Sequence, residues 1–163
     1  MVEVELIGLR VEMPTNTPVV LLKEKDEPGR VLPIFIGGPE ATAIAFALER
    51  VETARPMTHD LFVDALKVLG AQLTRVEITE VVDRVFYAEL VLVSLGGETR
   101  VSSRPSDAIA LALRVGAALF AAEAVMAQAG QQPMADETQG DPEELVEEFR
   151  QFLSDINPED FSS

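Results

Sequence analysis

The chain has 163 residues, 47% of them apolar and 25% charged, which is room for one core of the usual domain size of roughly 100–150 residues. It contains no cysteine, which excludes a disulfide framework, a thiolate nucleophile and a Cys-ligated zinc, and points to a reducing compartment. The net charge of −15 divides unevenly, −6 over residues 1–130 and −9 over residues 131–163, so a polyanion meets a repelling field, which counts against a general DNA-coating role and confines any nucleic-acid contact to a few Arg residues or a metal ion.

The chain opens Met1-Val2-Glu3-Val4-Glu5, with neither the positive region nor the continuous apolar core of a signal peptide. Its longest apolar stretches, Ala41–Leu48 and Val115–Met126, fall short of the ~20 residues that span a bilayer. The expected location is the cytoplasm, with no membrane partner.

Residues 2–13 alternate as a strand, with Val2, Val4 and Leu6 on one face. Beside Gly8 the apolar set shifts phase to Ile7, Leu9, Val11 and Met13, which predicts a bulge or a tight bend. Pro18–Lys23 and Val31–Ile36 follow as strands around a charged Pro-Gly turn, giving an antiparallel meander. Gly37-Gly38-Pro39-Glu40 stops the third strand and opens a helix over about 39–51, apolar on nearly every side and therefore buried. A second helix runs from Thr58 to about Leu69, with Leu61, Phe62, Ala65, Leu66 and Leu69 on one face and Gly70 closing it.

Gln72–Val82 and Val85–Leu95 form a long hairpin about Asp83-Arg84. Its acids, Glu77, Glu80, Asp83 and Glu89, read as a solvated face. Gly96-Gly97 turns into a strand over Glu98–Ser102, and a third helix starts near Ser103-Arg104-Pro105-Ser106-Asp107 and runs through Val115. A short strand around Leu119-Phe120 precedes a helix from about Ala122. The expected domain ends near residue 130. A polar linker over 131–141 leads to an acidic tail over 142–163, whose helix Pro142–Ile156 carries the stripe Leu145, Val146, Phe149, Phe152 and Leu153. That stripe suits a protein partner. The fold class is α+β, a mostly antiparallel mixed sheet with buried Ala-rich helices packed on it, plus the C-terminal acidic amphipathic helix.

The sequence holds no P-loop, no G-x-G-x-x-G, no H-E-x-x-H and no G-x-S-x-G. Its chemistry-bearing residues gather at three helix starts: Gly37-Gly38-Pro39-Glu40, Arg55-Pro56-Met57-Thr58-His59-Asp60 and Ser102-Ser103-Arg104-Pro105-Ser106-Asp107. The last two share a plan of Arg-Pro, a hydroxyl, and then a carboxylate in the first turn. Free N–H groups and the helix dipole favour an anion there, and Arg adds bidentate recognition of phosphate. A carboxylate at the same place can ligate Mg²⁺. The same residues also serve structure alone, with Thr58 or Ser103 capping and Asp60 or Asp107 complementing the dipole. His59 is the only histidine. It can act as general acid or base, or be a plain surface residue. One Tyr, no Trp and no basic run interleaved with Phe speak against a stacking-type nucleic-acid binder.

Three ordered blocks carry a resemblance: Leu32–Ala41 with its Ala-rich helix, Arg55–Leu61, and Ser103–Ala112. Together they resemble the bifunctional nuclease domain family over about residues 1–130. The resemblance implies an α+β fold, a homo-oligomer, and a nuclease acting on RNA and DNA. The matching positions are Glu40, Arg55, Thr58, His59, Asp60, Arg104, Ser106 and Asp107. In the mechanism this suggests, His59, Asp60 and Asp107 are catalytic, and Arg55, Thr58, Arg104 and Ser106 bind nucleic acid as substrate. Asp60, Asp107 and Glu40 hold Mg²⁺ or Mn²⁺. The competing reading is a non-catalytic oligomeric module that binds a small anion or a protein partner at the same helix starts.

Overall fold

A computed structural model describes residues 1–132 of the chain. The linker from residue 133 and the tail over 142–163 lie outside the described residues. Strands β1 (Val2–Glu12), β2 (Thr17–Glu24) and β3 (Val31–Phe35) come first, followed by helices α1 (Gly38–Leu48) and α2 (Thr58–Val68). Then follow β4 (Gln72–Val82), β5 (Val85–Ser94), β6 (Gly97–Ser103), α3 (Pro105–Val115), β7 (Ala118–Ala121) and α4 (Glu123–Ala129).

The strands make one seven-stranded sheet in the order β3-β2-β1-β7-β4-β5-β6. Two antiparallel meanders, β1–β3 and β4–β6, are joined through β7, which pairs antiparallel with β1 and parallel with β4. The sheet is thus mixed and mostly antiparallel. The phase change in β1 is a real register shift between Leu6 and Gly8. At the β4–β5 turn Asp83 and Arg84 both take positive φ, 49° and 67°, the twist a two-residue hairpin needs.

One face of the sheet carries the core. Val4, Leu9, Val20, Leu22, Val76, Ile78 and Leu90 belong there to one buried cluster with residues of α1 and α3; α1 packs on β2, and α3 on β4 and β5. In α3, Ala108, Ile109, Ala110, Leu111 and Ala112 are all buried, and Ala41, Ile44 and Ala45 are buried in α1. The small side chains let these two helices pack on each other as well as on the sheet. Helix α2 departs from the sequence reading. Val63 is buried, but Leu61 and Leu69 are 61% and 78% exposed, so most of the expected apolar face looks outward. The carboxylates of the hairpin also differ: Glu77 is buried rather than solvated. It accepts from Arg100 at 2.6 Å and from Arg75 at 2.6 Å, and Arg100 reaches on to Glu89 at 2.9 Å. A buried charge needs such partners to offset its desolvation.

Candidate active site

Each of the three helix starts has an extended residue ahead of it: Gly37 for α1, Met57 for α2 and Arg104 for α3. Neither Thr58 nor Ser103 caps its helix. The start of α2 is closed instead by Asp60, whose Oδ2 accepts the Met57 N–H at 2.9 Å. In α1 and α3 a proline stands in the first turn, where its fixed φ suits the helix and its missing N–H costs nothing.

Because α1, α2 and α3 pack together, their starts converge. Arg104 is the hub. Its Nη1 donates to Glu40 Oε1 at 2.9 Å, its Nε to Asp107 Oδ2 at 2.7 Å and its Nη2 to Asp107 Oδ1 at 3.1 Å. The far side of Asp107 meets His59, with Nε2 and Oδ1 3.1 Å apart. The line Glu40–Arg104–Asp107–His59 thus joins residues 40, 59, 104 and 107, and these four border a cleft of about 630 Å³ together with Thr58 and Arg114. Within it the Arg104 side chain is 65% exposed while that of His59 is 16% exposed.

Burial pushes the Asp107 carboxyl up, but hydrogen bonds from Arg104 and His59 outweigh it and hold the group below the usual carboxylate range. Asp107 is therefore ionised at neutral pH and can only accept. A neutral His59 then carries its hydrogen on Nε2, facing Asp107, and keeps the lone pair on Nδ1. That is the tautomer and orientation of a carboxylate-supported base.

Asp60 is placed differently. Its Oδ1 accepts from Arg114 Nε at 2.6 Å and its Oδ2 from the Met57 N–H, so both oxygens are engaged. Burial raises its pKa, and Arg114 and the Met57 N–H more than reverse that. Arg114 also donates to the Ala43 carbonyl at 3.1 Å and the Ala110 carbonyl at 2.9 Å, tying α1, α2 and α3 together behind the cleft. The sequence reading passed over Arg114. The available signal was a lone cation at the end of an apolar helix, where a role in complementing the dipole is enough to explain it.

The expected cage of three carboxylates is not assembled. Among the described residues no three His, Asp or Glu side chains group to hold a metal ion. Glu40 and Asp107 remain together, with the Arg104 guanidinium as the cation between them. Ser106 is buried and borders a neighbouring cleft. Arg55 is exposed on the loop before α2, where its carbonyl accepts from Thr53 Oγ1 at 2.6 Å, and it borders neither cleft.

The model of the bifunctional nuclease domain matches residues 20–134, a span that holds every residue of this site. The chain belongs to the bifunctional nuclease domain family. An uncharacterised protein of Mycobacterium tuberculosis is 43% identical, with 99% of this chain and 98% of that protein covered. Bifunctional nuclease 1 of Arabidopsis thaliana is 30% identical over 100 residues, 60% of this chain and 31% of that protein. Bifunctional nuclease 2 of the same plant is 31% identical over 107 residues, 63% of this chain and 32% of that protein. The stretch shared with this chain is thus about a third of each plant protein. No helix among the described residues is long and apolar enough to cross a membrane.

Proposed function

We propose that this chain hydrolyses phosphodiester bonds of RNA and DNA in the cleft bordered by Glu40, His59, Arg104 and Asp107. The observation that carries the reading is the Glu40–Arg104–Asp107–His59 line, a base, its orienting carboxylate and a phosphate-binding cation drawn from three helix starts. Arg104 exchanges its carboxylates for the substrate phosphate. With Nε2 turned to Asp107, His59 Nδ1 takes the proton from the attacking water. Thr58, on the cleft wall, supplies a hydroxyl to a phosphate oxygen, and Arg55 and Ser106 meet the flanking backbone.

Mg²⁺ or Mn²⁺ fits this donor set in a reduced form. Mg²⁺ is commonly held by one or two carboxylates plus substrate phosphate, and Glu40 and Asp107 are the pair present. The ion would supply Lewis-acid stabilisation of charge on the phosphate. Asp60, committed to Arg114, acts by positioning the start of α2 and with it His59. The absence of cysteine from the chain suits a reducing compartment, and the cytoplasm is the location this reading takes. Contact between copies in a homo-oligomer would fall on α2, where Leu61, Val68 and Leu69 are 61%, 87% and 78% exposed, since contiguous exposed apolar surface marks interaction sites.

One observation favours a second reading, a non-catalytic module that binds a small anion: both oxygens of Asp107 are already engaged by Arg104 and His59. The test is hydrolysis of single-stranded RNA and DNA by the purified full chain with Mg²⁺, with Mn²⁺ and with chelator. His59→Ala is expected to cost roughly 10²–10⁴-fold in kcat, the usual share of general base catalysis, and Asp107→Asn to abolish metal dependence. Equal rates in both variants and wild type would remove this cleft from the chemistry. No hydrolysis by wild type would leave the anion-binding module.

A further inference from the structure

A second cleft, of about 450 Å³, lies against the first and shares Glu40 and Arg104 with it. Its other walls come from parts of the chain far apart in sequence. The end of β3 brings Phe35, the β4–β5 turn brings Arg84 and Phe86, and the start of α3 brings Ser106. β3 stands first and β5 sixth in the order of the sheet, so the sheet curls until these margins meet over the helix starts.

Phe35 is 60% exposed, so its ring is accessible from this cleft. Arg84 makes no side-chain hydrogen bond or ion pair among the described residues, although carboxylates outnumber cations two to one in the chain. A guanidinium with no partner among the described residues and an exposed ring on the wall of one cleft, next to the cleft of Arg104, match the chemistry of a nucleotide: a π-face to stack and a phosphate to neutralise. The interleaving of cation and Phe that the sequence lacks is made in three dimensions.

We propose that this second cleft binds an unpaired nucleobase and its phosphate from a single strand of RNA or DNA. The base stacks at Phe35, with Phe86, packed against the core, at the edge of the cleft; the phosphate pairs with Arg84, and Arg104 marks the border with the scissile phosphate. Bases within a duplex are already stacked and paired, so they do not enter such a cleft; splayed single strands do. The inference rests on the phosphodiesterase reading of the first cleft and adds its substrate class. Positioning through a flanking base also offsets the repulsion between a polyanion and a chain of net charge −15.

Two oligonucleotides of one single-stranded DNA sequence, one intact and one abasic at every position, separate base from backbone. Binding is read by fluorescence anisotropy on the full chain with chelator present, with strand integrity checked by gel. Wild type is expected to bind the intact strand about tenfold more tightly than the abasic strand or the duplex, the scale of one base–aromatic stack. Phe35→Leu, which keeps bulk at an exposed site, should abolish the difference between intact and abasic strands. Arg84→Gln should weaken both strands alike. Equal affinity of wild type for both strands overturns the proposal, and if the same preparation still cleaves RNA the nuclease reading stands without it. Phe35-dependent discrimination without any hydrolysis keeps the second cleft and removes the nuclease reading. A Phe35→Leu variant that changes only its molar mass by light scattering, and not its discrimination, makes the ring a contact between copies and overturns the proposal.

Discussion

Glu40 stands where it does because of what Gly37 lacks. A Cβ on Gly37 would collide with the Glu40 carboxylate, yet the backbone at Gly37, with φ −79° and ψ 163°, is one that any residue adopts. Gly37→Ala should therefore fold normally but swing Glu40 away from Arg104. The expected outcome is an unchanged melting temperature with kcat/KM on RNA lowered about tenfold, since small displacements of a positioning group are expensive in rate. Adding Glu40→Ala to Gly37→Ala should cost nothing more, because both remove one interaction. Independent, additive losses in that double-mutant cycle would show that Gly37 acts elsewhere.

At the scale of elements, buried ion pairs set the order of the sheet margins and their response to acid. Glu24 at the end of β2 is 3% exposed and accepts from the Arg30 N–H at 2.8 Å, from Nε at 3.0 Å and from Nη2 at 2.6 Å. Arg30 reaches on to Glu123 at the start of α4 at 2.9 Å. The Arg30 side chain holds the Glu24 carboxyl below its ordinary value against the opposing effect of burial. Glu77 is held low in the same way, by Arg100 first and then by Arg75, against burial. A carboxyl whose folded pKa is depressed stabilises fully above its unfolded pKa, and the contribution is lost as pH falls through the folded value. Urea midpoints should thus be flat from neutral pH to about 5 and then fall, as carboxylates with ordinary values near 4 begin to protonate. Glu24→Gln should be less stable at neutral pH and have a shallower acid slope. An acid slope as steep as that of wild type would place the responsible carboxylates elsewhere.

Over the whole molecule, the charge of −15 opposes the approach of nucleic acid even though Arg84 and Arg104 border its two clefts. Long-range repulsion is screened once the Debye length falls from about 30 Å at 0.01 M salt to about 10 Å at 0.1 M. Initial rates at low RNA concentration should therefore rise over that range before contact screening lowers them. A basic nuclease would lose rate throughout, so a monotonic fall from the lowest salt would mean that local arginines outweigh the net field. The same curled sheet that brings the two clefts together places them at its margins, where β3, the β4–β5 turn and the helix starts meet.

The sequence by itself determined the elements, because their signals are local. The alternation and phase slip of β1, the Asp83-Arg84 turn, the proline-led starts of α1 and α3 and the short strand before α4 all depend on neighbours within a few residues. It also determined the family, through three ordered blocks. Tertiary structure decided what those blocks do together. Nothing near Asp60 in the chain announces that Arg114 takes its Oδ1, and nothing near Glu77 announces Arg100, because partners 54 and 23 residues apart leave no periodicity, whereas Arg75, two residues from Glu77 on the same strand, follows from alternation alone. The central seat of β7, the joining of Glu40 to Asp107 through Arg104, and the sharing of one cleft by Phe35 and Arg84 are products of sheet order and curl. Hydrophobic burial selects that arrangement for the chain as a whole, and side chains distant in sequence become neighbours only once the core has closed.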